Sequence, residues 1–137
     1  MRDRIIDADS HVNEPAGVWV DRVPARFRDL APTMIDLPDG RFAWSFEGGR
    51  SQRRVTTACA GVDESRYDAL GARWEEIRPA SYDPKARLEE MAIDRIDAQV
   101  IYPSLAPQPE FFGKDRELQV ACVRAYNDWI AEFSSFA

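Results

Sequence analysis

The sequence predicts an α/β fold with parallel strands, and three observations lead to this class. A short β-branched strand is predicted near the amino terminus, over residues 4–9. A helix is predicted over residues 83–96, and one or two residues later a second strand follows at residues 98–102. Because a helix of about three turns joined so closely to a strand implies a parallel crossover, the class is α/β.

Composition places the chain among ordinary globular proteins. It has 137 residues, of which 45% are hydrophobic and 31% are charged, so we expect one folding unit over residues 1–137 with a real core. The two cysteines, Cys59 and Cys122, lie far apart and lack CxxC spacing. This pattern disfavours a disulfide framework and a cysteine zinc site, and it suits the reducing cytoplasm.

Charge and hydropathy exclude two classes of partner. A net charge of −6 disfavours nucleic acid, because phosphate backbones are held by clustered basic residues and "SQRR" at residues 51–54 is too short a cluster. No stretch approaches the 18 or so consecutive apolar residues of a membrane span, so we expect no membrane partner. The amino terminus also lacks the apolar core of a signal peptide, and we therefore predict a cytoplasmic protein.

Turn residues divide the segment after the first strand. Pro15 and Gly17 end that strand, and a short helical turn is expected at residues 18–20. A β-hairpin excursion follows in "TMIDLPDGRFAWSFEGGR", with its tight turn at residues 39–40. Residues 50–78 are aperiodic, which indicates a long surface loop with at most one helical turn near Trp74.

Two helices have clear start signals and apolar faces. Asp83 can cap the first, with Pro84 at its first helical position, and Asp115 can begin the last. The predicted apolar face of the first helix is Leu88, Met91, Ala92 and Ile96. The predicted face of the last helix is Leu118, Cys122, Tyr126, Trp129 and Phe133.

The stretch "IIDADSHVNEP" contains the single histidine of the chain. Asp9 and His11 lie two residues apart, so on a strand their side chains point to one side, where a carboxylate and an imidazole could share a metal ion. We expect Asp7 on the other face, as a strand-end or helix-contact residue. On spacing alone, an ordinary polar turn explains these residues more safely than a metal site does.

Three blocks of sequence together resemble a known family. "IIDADSHVNEPAGVWVDRVPARFRDLAP" resembles the opening of the amidohydrolase-2 family, the aminocarboxymuconate-semialdehyde-decarboxylase-like branch of the amidohydrolase superfamily. "YDPKARLEEMAIDRIDAQVIYPS" resembles its first helix and second barrel strand, and "ELQVACVRAYNDWIAEF" resembles its second helix. The blocks occur in the family's order, and the resemblance is weakest over residues 50–78.

The resemblance implies a fold, a chemistry and a set of site residues. Members are metal-dependent hydrolases or non-oxidative decarboxylases on a (β/α)8 TIM barrel, with small carboxylic-acid or amide substrates. Asp9 and His11 stand where the family has its His-x-His pair, which implies that both bind a divalent metal, zinc or alternatively manganese, in the complete enzyme. Glu14 is a candidate for orienting His11, with helix capping or a surface pair as the alternatives. Tyr102 is a candidate for binding substrate, or else a core aromatic with its hydroxyl at the rim.

The length of the chain sets the remaining expectations. A (β/α)8 barrel needs roughly 250 residues, so the 137 residues correspond to the first two β/α units of an incomplete barrel, with the hairpin inserted after strand 1. We therefore expect an amino-terminal fragment of an amidohydrolase-related barrel domain that is inactive in isolation. The alternative is a non-catalytic remnant that binds a partner or forms a homo-oligomer through its open sheet edges.

One position departs from the family pattern at the end of the first helix. Arg95 stands where the family often has glycine, because the chain leaves the helix there in a left-handed conformation. An arginine in that conformation costs about 1 kcal/mol, unless the turn is built differently.

Overall fold

The computed structural model describes residues 3–54, 63, 65, 71–105 and 114–136. Its strands are β1 (Ile6–Val12), β2 (Thr33–Asp36), β3 (Phe42–Phe46), β4 (Ser51–Arg54) and β5 (Ala98–Pro103). Its α-helices are α1 (Gly17–Val20), α2 (Pro84–Asp94) and α3 (Arg116–Ser134). Short 3-10 turns lie at Ala25–Phe27, Trp74–Glu76 and Pro79–Ser81. The predicted α/β class is confirmed.

Strands β1 and β5 form a two-stranded parallel sheet, as the helix-to-strand spacing predicted. Strand β1 covers residues 6–12, whereas the sequence predicted residues 4–9. The residues beyond the predicted end of the strand are paired as well, because His11 lies opposite Tyr102 and Val12 lies opposite Pro103. Backbone hydrogen bonding to β5 therefore extends β1 beyond its β-branched residues.

A bulge in β1 decides which way its side chains point. Asp7 lies opposite Gln99 and Ser10 lies opposite Ile101, so two residues, Ala8 and Asp9, face a single residue of β5. Regular alternation would place Asp7 on the same side as Asp9 and His11. The extra residue instead turns Asp7 to the side of Ser10, which is the face we expected for it.

The excursion after β1 is a three-stranded antiparallel sheet in the order β2-β3-β4. The predicted hairpin joins β2 to β3, and Gly40 has the positive φ of 79° that its tight turn requires.

The prediction of a loop from residue 50 was wrong for β4, which pairs with β3. Its residues are polar and carry no apolar alternation, so only this pairing reveals the strand. The turn at Trp74–Glu76 agrees with the single turn expected there, while 55–62, 64 and 66–70 lie outside the described residues.

The core lies between α3, the antiparallel sheet and the end of β1. The predicted face of α3 is buried at every position, and Asp115 caps the helix by accepting hydrogen bonds from the N–H groups of Glu117 and Leu118. Trp19, with none of its surface exposed, packs edge-on against Trp44 at a ring distance of 5.0 Å. The other core residues include Val12, Val18, Val23, Phe27, Ala31, Phe46 and Leu105.

Helix α2 begins as predicted but is not buried as predicted. The Asp83 side chain accepts hydrogen bonds from the N–H groups of Lys85 and Ala86, and Pro84 occupies the first helical position. No residue of α2 is buried; on its predicted apolar face Leu88 and Met91 are only half-buried and Ala92 is exposed. The periodicity was therefore correct, but the described residues cover this face only in part.

The β1–β5 sheet also has one uncovered face. Ser10 and Val12 point toward the core, while Ile6 is 63% exposed and Val100 45% exposed on the opposite side. We call this side the open face; its residues are Ile6, Asp9, His11, Val100 and Tyr102. Among the described residues, no helix has the length and hydropathy needed to cross a bilayer.

Replacing Arg95 by glycine is expected to stabilise the fold. Arg95 has φ 61° and ψ 29°, the left-handed conformation that follows helix α2. Because a Cβ is strained there, Arg95→Gly should raise the free energy of unfolding by about 1 kcal/mol, measured by urea denaturation. Arg124→Gly within α3 is the matched control and should lower stability by about 1 kcal/mol. A loss of stability in Arg95→Gly would contradict this account of the helix end.

Candidate functional site

Asp9 and His11 lie together on the open face, at the carboxyl-terminal half of β1. Their side chains are 83% and 53% exposed, and His11 Nε2 is 3.4 Å from Asp9 Oδ1. The structure therefore brings the two predicted ligands side by side. They contact because Asp9 and His11 lie two residues apart on one side of the strand, while the bulge at Ala8 and Asp9 turns Asp7 to the other side.

The second nitrogen of the His11 ring faces the neighbouring strand. His11 Nδ1 lies 3.2 Å from the backbone carbonyl oxygen of Pro103, the last residue of β5. A carbonyl oxygen can only accept, so this hydrogen bond requires the proton on Nδ1. The lone pair of Nε2 is then available as a ligand, which is the arrangement typical of metal-binding histidines.

Glu14 lies just after β1 and is buried, with 2% of its surface exposed. Its Oε1 accepts a hydrogen bond of 3.0 Å from the N–H of Leu105, in the segment after β5. Burial chiefly, and then the Glu14 carboxylate, raise the pKa of Tyr126. Burial excludes the surface pair that was one alternative for Glu14. Its orienting role toward His11 stays a prediction, since the described contacts of that ring are with the Pro103 carbonyl and the Asp9 carboxylate.

Tyr102 is the residue of β5 directly opposite His11. The two ring centroids are 6.0 Å apart, and Tyr102 is 45% exposed on the open face. This exposure does not fit the alternative of a core aromatic within the described part of the chain. Binding of a substrate by Tyr102 stays a prediction, although the structure does place the ring beside the candidate ligands.

Asp7 lies on the opposite face, and both of its carboxylate oxygens accept hydrogen bonds. Its Oδ1 accepts from the N–H of Asp9 at 3.1 Å, and its Oδ2 accepts from the Ser10 hydroxyl and from Gln99 Nε2. The Ser10 hydroxyl, then the Asp9 N–H, Gln99 and the charge of Arg87 lower the pKa of the Asp7 carboxyl. Asp7 is therefore an ionised acceptor at neutral pH that holds the backbone of its neighbours.

Arg87, on α2, is the site-related residue that sequence reasoning missed. Its guanidinium donates to the His11 carbonyl at 3.0 Å, to the Ala80 carbonyl at 3.2 Å and to Gln99 Oε1 at 2.6 Å. Partial burial lowers the pKa of Arg87, and the carboxylates of Asp7 and Glu90 oppose that effect. No local pattern signals this role, because every partner except Ala80 lies on a strand distant in sequence.

A groove of about 530 Å³ adjoins the candidate residues. Its lining includes Asp9, His11, Asn13, Arg78, Ser81 and Ser104. Arg78 pairs with Glu90 across it, at 2.9 Å between Nη2 and Oε1. The groove presents both acidic and basic groups and is large enough for a small polar molecule.

The donor set fits part of a metal site. A carboxylate and an imidazole are ligands that suit zinc, which takes four in a tetrahedron. Asp9 and His11 supply two, and the described ranges contain no group of three or more His, Cys, Asp or Glu side chains placed to hold an ion. We refer to Asp9 and His11 as the half-site.

The fold and the half-site together define an α/β protein with polar residues gathered toward the carboxyl ends of parallel strands. The chain is similar in structure to an amidohydrolase from Mycobacterium avium subsp. paratuberculosis K-10, with a TM-score of 0.70 and 19% sequence identity. The similarity covers 96% of this chain and 39% of the amidohydrolase, so the chain spans about two fifths of that protein's length. No family model and no curated protein matches the sequence. The comparison shows the fold.

Removing the Glu14 side chain is expected to destabilise the protein. In Glu14→Ala the buried N–H of Leu105 loses its acceptor, which should cost about 1–3 kcal/mol in chemical denaturation. Glu14→Gln keeps an oxygen acceptor and should cost less. Glu89→Ala, on the exposed side of α2, should change stability by at most about 0.5 kcal/mol. Equal losses in Glu14→Ala and Glu14→Gln would show that the negative charge matters rather than the hydrogen bond.

Proposed function

We propose that this chain forms two β/α units of a metal-dependent amidohydrolase-type barrel enzyme of the amidohydrolase-2 family. In this proposal Asp9 and His11 are two ligands of a divalent metal, zinc or alternatively manganese. The observation that carries it is the His11 ring, whose Nδ1 is engaged by the Pro103 carbonyl while Nε2 faces the Asp9 carboxylate. Structural similarity to 39% of an amidohydrolase supports the fold on which the proposal rests.

The open face supports an incomplete barrel. In a (β/α)8 barrel the inward side of each strand is covered by other strands, and the active site lies at the carboxyl ends. Here Ile6 and Val100 are exposed at the lower part of the face, and His11 and Tyr102 lie nearer its carboxyl end. The inner surface of such a barrel is expected to be apolar along the strands and polar at their carboxyl ends, and the open face has this arrangement.

The proposed substrates are small carboxylic acids or amides, and the reaction is hydrolysis or non-oxidative decarboxylation. A divalent ion bound there would activate water or polarise a substrate oxygen. Asp9 and His11 would hold it, and Tyr102 would donate a hydrogen bond to a substrate oxygen from the same face. We further propose that the described residues are inactive without more ligands, and that the protein is cytoplasmic, which its buried free thiol Cys122 suits.

Zinc binding tests the half-site directly. Titration with Zn²⁺ should shift the ring resonances of His11, the single histidine, in NMR spectra of the wild-type protein. Asp9→Ala and His11→Ala should each weaken binding by at least about tenfold, measured by calorimetry, because each removes one of two described donors. Asp128→Ala, an exposed carboxylate on α3, is the control and should bind as the wild type does.

Equal and poor zinc binding by the wild type, Asp9→Ala and His11→Ala would contradict the half-site. Binding that falls only in Asp128→Ala would place the ion on α3 instead. Manganese is to be titrated in parallel, because a carboxylate–imidazole pair suits either ion.

A second candidate function is a non-catalytic module that associates through its sheet. The observation that favours it is the exposed apolar surface of β1 and β5, a two-stranded sheet in the described part of the chain with an outer edge on each strand. Exposed edges and apolar sheet surface promote pairing with another chain. A second copy of this protein is the proposed partner.

Solution mass tests the association. Light scattering after size exclusion should show a mass above 15.6 kDa that falls to the monomer value in Ile6→Lys or Val100→Lys, because either places a charge on the open face. Val123→Lys, at a 47% exposed position of α3, should leave the mass unchanged. A wild-type protein that stays monomeric over a hundredfold range of concentration would overturn this candidate.

A further inference from the structure

The bulge in β1 leaves one backbone group in need of a partner beside the half-site. Residues 8 and 9 have no one-to-one counterparts in the parallel register, so the regular ladder is interrupted at Asp9. The carboxylate of Asp7 accepts this N–H at 3.1 Å. Because Asx side chains readily bond the backbone two residues on, Asp7 favours the local conformation that a bulge needs.

The same carboxylate is linked to the neighbouring strand. Gln99 Nε2 donates to Asp7 Oδ2 at 3.3 Å, and the Ser10 hydroxyl donates to the same oxygen. Gln99 lies directly opposite Asp7 in the register of β1 and β5. Both oxygens of Asp7 are therefore used, one on the bulge and the other across the sheet.

The chain of contacts continues to helix α2 and returns to β1. Gln99 Oε1 accepts from Arg87 Nε at 2.6 Å, and Arg87 Nη1 donates to the backbone carbonyl of His11 at 3.0 Å. The contacts thus begin at the N–H of Asp9 and end at the C=O of His11. We call Asp7, Gln99 and Arg87 the Asp7 network.

We infer that the Asp7 network positions Asp9 and His11, turning both side chains to the open face at the separation a shared metal ion requires. The metal in this inference rests on the proposed function. The effect of the network on the positions of Asp9 and His11 does not depend on that function. All three residues are positioning residues that hold the backbone of the half-site from the opposite face. Outer-shell partners of this kind typically change metal affinity by about 10–100-fold when removed.

The competing explanation is that the Asp7 network only joins helix α2 to the sheet, as a clamp. The clamp and the positioning network differ in what they predict for His11. A clamp would affect stability alone. A positioning network would also change the hydrogen bond between His11 Nδ1 and Pro103, because a relaxed bulge shifts the register of His11 against β5. The proton position on the His11 ring reports this difference, while the protection of the Asp9 amide reports the loss of the Asp7 acceptor itself.

The test compares Asp7→Ala, Asp7→Asn and Arg87→Met with the wild type. Long-range proton–nitrogen NMR should show the proton of His11 on Nδ1 in the wild type, and a mixture of both tautomers in Asp7→Ala and Arg87→Met. Hydrogen exchange at Asp9 should accelerate at least about tenfold in Asp7→Ala, because its acceptor is gone. Asp7→Asn keeps an oxygen for that N–H and should restore slow exchange at Asp9, while its NH2 group faces the NH2 group of Gln99, so the His11 tautomers should stay mixed.

Asp97→Ala is the matched control. Asp97 Oδ2 accepts the N–H of Ile5 at 2.9 Å, so it is also a carboxylate that holds the β1 segment, but at the end remote from His11. This variant should lose stability without changing the tautomer of His11 or the exchange of Asp9. Gln99→Leu provides the second variant if Asp7→Ala does not unfold cooperatively, because it cuts the network between Asp7 and Arg87.

Zinc titration separates this inference from the proposed function. Zinc affinity lowered about 10–100-fold in Asp7→Ala, together with the tautomer change, supports both. Tautomer and exchange changes in a protein whose wild type binds no Zn²⁺ refute the proposed metal but support the positioning role. An unchanged His11 tautomer and unchanged Asp9 exchange in folded Asp7→Ala or Gln99→Leu would overturn the network.

Discussion

The parallel pairing of β1 with β5, interrupted by a single bulge, is the interaction on which the site depends. It brings together segments about 90 residues apart and places Tyr102 opposite His11. Without the bulge, Asp7 would share a face with Asp9 and His11, and three acidic or basic side chains would crowd one side. With it, one carboxylate turns inward as a backbone acceptor, and the other stays beside the imidazole.

The distribution of apolar surface explains why this part of the chain folds as it does. The face of α3 packs against Trp19, Trp44 and the end of β1, and burial there is nearly complete. Helix α2 buries no residue and is held by its Asp83 cap and by the polar contacts of Arg87. The open face of the sheet is likewise uncovered. Burial on the β1–β5 sheet is therefore concentrated on the side of Ser10 and Val12, while the open face stays exposed.

The residues on the two faces of the β1–β5 sheet differ in what they contact. On the open face, Asp9, His11 and Tyr102 are accessible to a ligand. On the other face, Gln99 links Asp7 to Arg87 by hydrogen bonds, so the polar groups of these three residues are engaged within the protein. Such a division suits a site in which rigid backbone positions hold exposed donors. Similarity to part of an amidohydrolase gives the fold a precedent.

Local chemistry determined much of this protein from the sequence by itself. The caps Asp83 and Asp115, the turn at Gly40 and the apolar face of α3 follow from residue type and spacing, because each depends on neighbours within a few positions. Spacing also paired Asp9 with His11. Tertiary structure alone decided the length of β1, the existence of β4, the exposure of α2 and the role of Arg87. These features depend on backbone pairing and long-range hydrogen bonds, which leave no periodic trace in the residues that form them.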